Sequence, residues 1–160
     1  MCPDTFADDS DLRYKSGMVD ITKKPPVKRT AIATGTIKMA ESTTEAIRKG
    51  DVKKGDVLTV ARVAAIQAVK ETPRQIPMCH PIPVTCVNLS FELSPDEIRA
   101  TVEVVTMGKT GVEMEALAGV SAALLNVWDM VKSLEKDETG NYPNTEISGI
   151  KVLEKRKETF

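Results

Sequence analysis

Two short stretches constrain the fold of this chain more than any others: VTCVNLSFEL at 84–93 and IRATVEVVTM at 98–107. In the first, Val87, Leu89, Phe91 and Leu93 alternate with Asn88, Ser90 and Glu92, and the second alternates in the same way. A period of two marks a strand with one buried face, and only the turn sequence SPDE separates the pair, so 84–107 reads as a β-hairpin. Upstream, RTAIATGTIKM at 29–39 is rich in β-branched residues and reads as a first strand. STTEAIRKG at 42–50 carries Ser42 and Glu45 at capping-box spacing and a glycine stop. DVLTVARVAAIQAVKE, 56–71, reads as a second helix with Asp56 as its N-cap, apolar nearly all round and therefore expected to be deeply buried. After the hairpin, GKTG leads into a long apolar helix at about 111–136, where Thr110 and Glu113 repeat the capping-box spacing. The polar loop DETGNYPN then separates it from a last strand near 145–156.

The order β-α(α)-β-β-α-β predicts an α+β fold, the ferredoxin-like split βαβ: a four-stranded antiparallel sheet with helices on one face. Residues 1–17 are expected to form a mobile arm and 18–160 a single domain. The sheet's other face, with Val105 and Met107, and a last helix that runs without a charge from Glu115 to Asn126 leave apolar area to be covered. That predicts an obligate oligomer, at least a dimer.

Lys and Arg number 22 and Asp and Glu 23, for a net charge of -1. This balance gives no electrostatic reason to expect nucleic acid, and 4% aromatic residues offer no stacking pair for RNA. The apolar runs are too short or too charged to cross a membrane, and the acidic start MCPDTFADDSDLRYKSG has no signal-peptide core. Three cysteines (Cys2, Cys79, Cys86) without metal spacing suit a reducing compartment, so a soluble cytoplasmic protein is expected.

The one histidine, His80, sits in IPMCHPIP between prolines 77, 81 and 83. Such a segment is neither helix interior nor central strand, and its stiffness suits a preorganised binding site. No second soft ligand is correctly spaced, so His80 reads as a substrate ligand and not a metal ligand. Neighbours in extended chain point opposite ways, which argues against a Cys79–His80 nucleophilic pair. In the last helix, Asp129 and Lys132 are three apart and share a face, either as a surface ion pair or as a proton-transfer couple. Gly108, Lys109, Thr110 and Gly111 lead into a helix N-terminus that attracts anions, although the Walker A order is absent. Glu113 and Glu115 fall about 200° apart on a regular helix, so they would not share one pocket unless the first turn is irregular. Arg29, Lys54, Lys70, Lys132 and Lys155 are singly ordinary solvated charges; converging, they would suit a polyphosphate.

Two long motifs, GDVLTVARVAAIQAVKETPRQIPMCHPIPVT and GKTGVEMEALAGVSAALLNVWDMVKSLEKD, together with MVDIT at 18–22, resemble the cyclic pyranopterin monophosphate synthases of molybdenum cofactor biosynthesis, the MoaC family. The resemblance covers nearly the whole chain from Met18. It implies a ferredoxin-like subunit in a homohexamer, a trimer of dimers with active sites at the subunit interfaces. It implies a lyase that turns (8S)-3′,8-cyclo-7,8-dihydroguanosine 5′-triphosphate into cyclic pyranopterin monophosphate and releases diphosphate. It also implies Asp129 and Lys132 as the catalytic pair, and Met78, Cys79, His80, Glu113, Met114, Glu115, Arg29, Lys54, Lys70 and Lys155 as substrate-binding residues. At the C-terminus KRKETF stands where the family often carries a glycine-rich KSGGKSG loop, and the loop 137–146 is longer than in many relatives.

The implied chemistry is general acid/base catalysis without a covalent intermediate, with cations neutralising the departing diphosphate. No cofactor and no structural metal is expected, though magnesium could accompany the triphosphate. The rival reading is a non-catalytic ferredoxin-like nucleotide-binding or regulatory module, against which stands the density of titratable residues in the matched motifs.

Overall fold

The computed structural model describes residues 17–159, so the expected arm at 1–17 lies outside the described residues but for Gly17. Seven elements follow one another: β1 (Val27–Lys38), α1 (Glu41–Lys49), α2 (Val57–Gln75), β2 (Val84–Leu93), β3 (Glu97–Gly108), α3 (Glu113–Glu135) and β4 (Glu146–Glu158). The sheet order is β2-β3-β1-β4 and every pairing is antiparallel. This is the α+β arrangement expected from the element order, consistent with a ferredoxin-like fold.

The alternation of β3 sends Ile98, Ala100, Val102 and Val104 into the core, where they face Ile37, Gly35, Ala33 and Ala31 of β1. Over this face α2 lays Ala61, Ala65, Ala68 and Val69, and α3 lays Val120, Ala123, Leu124 and Val127, all buried. Two glycines let the layers approach. A Cβ at Gly35 would stand 2.9 Å from both Ile150 and Val120, and one at Gly119 would stand 2.9 Å from Val69 and 3.2 Å from Val102. Alanine at 119 would gain helix propensity against that crowding, but a branched side chain has nowhere to go. Gly119→Val is expected to destabilise the fold by about 2–3 kcal/mol. Denaturant unfolding checks this, and an unchanged midpoint would mean that the helix–sheet packing is loose here.

Several local expectations are corrected. α1 starts at Glu41 with Ala40 as its N-cap, and no side chain caps it. The Ser42/Glu45 box is not formed: the Ala40 N–H donates to the buried Glu135 carboxylate of α3 (3.0 Å), and Glu45 pairs with Arg48 and Lys49. The Thr110/Glu113 box is likewise absent, since Glu113 is held by Lys155. The Asp56 cap is formed, accepting from the Thr59 N–H at 3.0 Å. α2 runs past Glu71 and through Pro73 to Gln75. A proline so near the end removes one helix hydrogen bond, and the helix continues regardless.

α2 is not buried all round: Val63 is 61% exposed and Val60 39%. The open sheet face is mixed: Val105 and Met107 lie on it as expected, Met107 44% exposed, and polar groups fill much of the rest. There the Thr34 hydroxyl donates to the Ala100 carbonyl, and Asn88 of β2 and Arg156 of β4 both donate to Glu103 of β3. Further exposed apolar residues include Val60, Val63, Leu125, Leu134, Ile150 and Leu153. α3 is long and apolar enough to cross a membrane, yet half of it is packed inside the fold, as befits a core helix.

Candidate active site

α2 ends beside the start of α3, and between them the proline segment makes a tight turn. The Cys79 N–H donates to the Ile76 carbonyl (3.0 Å), and the Thr106 hydroxyl holds the Pro83 carbonyl (2.8 Å). A cleft of about 360 Å³ opens here. Met78, Cys79, His80 and Ile82 line one side and Thr110, Gly111, Glu113, Met114 and Glu115 another, while Val19, Ile21 and Lys24 of the N-terminal segment close a third. His80 also borders an adjoining depression of about 280 Å³ against Met107, Gly108 and Lys109. His80 Nε2 lies 2.7 Å from the Val19 carbonyl oxygen. A carbonyl can only accept, so Nε2 carries the proton and His80 presents a donor.

Glu113 and Glu115 border the same cleft, against the expectation from a regular helix. The first turn is the reason: the Val112 cap has φ -116° and ψ 25°, and the Glu113 carboxylate folds back over Gly111. Burial pushes the Glu113 carboxyl up, but Lys155, its own N–H and Arg29 more than offset this and leave it below the usual range. Glu115 is buried, and burial pushes its carboxyl up against the pull of its own N–H, with Glu113 adding to the rise. Burial also raises the Cys79 thiol, and the Glu115 charge raises it further. A thiol so placed is a poor nucleophile near neutral pH.

Cations border this end of the molecule. Arg29 is fixed by two backbone carbonyls, its Nε donating to Gly108 and its second guanidinium nitrogen to Lys109, both at 3.2 Å. Lys155 on β4 reaches Glu113. Lys70 stands exposed on the last third of α2, with no ion pair among the described residues.

Asp129 and Lys132 are not in the cleft. They lie near the far end of α3, Asp129 sixteen and Lys132 nineteen residues beyond Glu113, at least about 24 Å along the helix axis. There Lys132 Nζ binds one Asp129 oxygen at 2.7 Å, and Lys54, from the loop before α2, binds the other at 2.9 Å and the Asp129 carbonyl at 2.9 Å. The Lys132 hydrogen bond, then that of Lys54, holds the Asp129 carboxyl down at about 2. Asp129 in turn raises the Lys132 amine. Trp128 packs edge to face against Tyr142 at 5.4 Å, beside this cluster.

The twelve sequence-derived candidates thus form two groups at opposite ends of the antiparallel α2–α3 pair. The sequence reading missed the cleft wall made by Val19, Ile21 and Lys24; MVDIT drew notice only as a motif. Lys109, read as part of an anion-attracting helix start, instead donates its amine to the Thr22 carbonyl (2.8 Å) and so holds that segment in place. Among the described residues no group of three or more His, Cys, Asp or Glu side chains is arranged to hold a metal ion.

The sequence model of the MoaC family matches residues 18–158. The chain is 62% identical over 142 residues to a probable cyclic pyranopterin monophosphate synthase of Aeropyrum pernix, covering 89% of this chain and 97% of that one. It is 57% identical over 154 residues to the protein of that name in Methanospirillum hungatei, covering 96% of each, and 55% identical over 141 residues to that of Thermococcus onnurineus, covering 88% and 90%.

Proposed function

The chain belongs to the MoaC family, and from that premise we propose that it converts the cyclic dihydro-GTP, (8S)-3′,8-cyclo-7,8-dihydroguanosine 5′-triphosphate, into cyclic pyranopterin monophosphate, releasing diphosphate. It is a lyase of molybdenum cofactor biosynthesis. The observation that carries the mechanism is the Lys54–Asp129–Lys132 cluster. Asp129 remains a carboxylate and Lys132 an ammonium, so the pair delivers a proton from Lys132 while Asp129 orients the amine. The cleft supplies binding. Its carboxylates, Glu113 and Glu115, can accept hydrogen bonds from the amino edge of a purine-like ring, and His80, its Nε2–H held by the Val19 carbonyl, stands in the cleft wall beside them. Arg29 and Lys155, with Lys70, neutralise the charge of the phosphates as diphosphate departs. Magnesium would accompany the triphosphate alone.

The 24 Å between the two groups supports a site shared between chains, because one small substrate cannot touch both in a single subunit. The assembly we assign is a homohexamer, a trimer of dimers, with the exposed Val60, Val63, Leu125, Leu134, Ile150 and Leu153 available for its interfaces. A cytoplasmic location and the absence of nucleic-acid and membrane partners belong to the same proposal. The purified protein should release one diphosphate per pyranopterin formed from the cyclic dihydro-GTP. Recovery of that compound unchanged would favour a non-catalytic nucleotide-binding module. Cys79→Ser should retain wild-type turnover within about twofold, since the raised thiol does no covalent chemistry. Complete loss of turnover in a folded Cys79→Ser protein would instead point to a thiolate step.

A further inference from the structure

β4 continues as strand to Glu158, through the stretch KRKE, and this fixes the places of its last cations. Between Lys28↔Glu158 and Ile32↔Glu154 the β1–β4 pairing has no register shift, so Arg29 lies opposite Lys157 and Ala31 opposite Lys155. Lys155 and Lys157 are two apart and share a face. That face holds the buried Ala31 and turns toward Glu113, which Lys155 binds. Arg29 and Lys157 are therefore like charges directly opposite one another on adjacent antiparallel strands, a pairing that destabilises a sheet.

Three cations nearby have carboxylates. Lys28 binds Glu158 at 3.0 Å, Arg156 binds Glu154 at 3.1 Å and Glu103 at 3.3 Å, and Lys155 binds Glu113. Lys157 has none among the described residues. Arg29 spends two of its nitrogens on the Gly108 and Lys109 carbonyls and makes no ion pair there. Glu113, which lines the cleft, thus serves two cations, Lys155 by an ion pair and Arg29 through space, and Lys157 lies directly across from Arg29 with no carboxylate of its own among the described residues.

We propose that Lys157 is a phosphate ligand that, opposite Arg29, takes the terminal phosphates of the substrate's triphosphate chain, the part that leaves as diphosphate. An anion between the two strands removes their repulsion and adds charge-assisted hydrogen bonds to a guanidinium already fixed by the backbone. A strand makes this lysine a preset ligand, where a glycine-rich loop would have to be ordered on binding. The inference rests on the reading of the cleft as the site of a triphosphate substrate.

The test uses the full-length oligomer and two readouts: steady-state turnover of the cyclic dihydro-GTP, and calorimetric binding of inorganic diphosphate. If the unaltered protein releases no diphosphate, the functional reading itself fails. If it does, Lys157→Ala should raise KM and weaken diphosphate binding about tenfold each with kcat little changed, Lys157→Glu should do so more severely, and Lys157→Arg should restore both. Arg156→Gln, on the opposite face, should leave both alone. Unchanged KM and diphosphate affinity in Lys157→Ala would overturn the proposal. So would a variant that only loses its subunit association, since Lys157 would then be an interface residue.

Discussion

Lys132→Ala is expected to lower the rate of diphosphate release by roughly 10³-fold, within the usual worth of a positioned general acid or base, while the fold is unchanged. Lys132 sits on the solvent-facing edge of α3, and Asp129 keeps its second partner, Lys54, when the amine is removed. Far-UV circular dichroism and thermal midpoint should match the unaltered protein. Lys132→Arg separates charge from proton transfer: it keeps the cation, yet the guanidinium does not give up its proton, so substrate should still bind while the rate stays low. The pH dependence follows from the directions of the shifts. The Asp129 carboxyl is depressed, so its ion pair is fully present above the ordinary carboxylate range and is lost as pH falls through about 2. The Lys132 amine is raised, so its pairing is fully present below the ordinary lysine value and is lost only as pH rises above it. Between about pH 5 and pH 9 the couple keeps one carboxylate and one ammonium, and any limb of the rate profile in that window belongs to other groups. Normal product yield from Lys132→Ala would remove the acid/base assignment.

Mixed oligomers of His80→Ala and Lys132→Ala subunits should recover activity that neither has alone. His80 belongs to the cleft and Lys132 to the distant cluster, about 24 Å away along α3, so a complete site takes its halves from two chains. With equal amounts and random assembly, about a quarter of such sites pair an intact cleft with an intact Lys132 cluster. Co-refolding the two variants should therefore restore about a quarter of the activity of the unaltered protein, rising from near zero. No recovery despite demonstrated subunit mixing would mean that both residues act within one chain. A fully active monomer in sedimentation would count against the shared site altogether. Glu113 and Glu115 border one cleft, so it is the separation of the two clusters that calls for a second chain.

The alternation at 84–107 was enough to place the hairpin and its inward residues, because a strand's period of two leaves one choice of buried face. α2 and α3 were legible as apolar runs and α1 by its glycine stop, and Asp56 as a cap, because its partner is three residues away in the same chain. The two capping boxes were misread for a related reason. Their spacing was correct, but Glu135 and Lys155, distant in sequence, supplied the competing partners.

The sequence by itself determined the element order, the inner face of the hairpin, the absence of a bias toward nucleic acid and the family, because these rest on local periodicity, total charge and long uninterrupted motifs. Only the tertiary structure decided that His80 faces the Val19 carbonyl, that Glu113 folds back to Lys155, that Asn88 and Arg156 meet at Glu103 on the open sheet face, and that Asp129 and Lys132 lie far along the helix from the cleft. Each of these depends on contacts between residues far apart in the chain or on strand register, neither of which a one-dimensional pattern encodes.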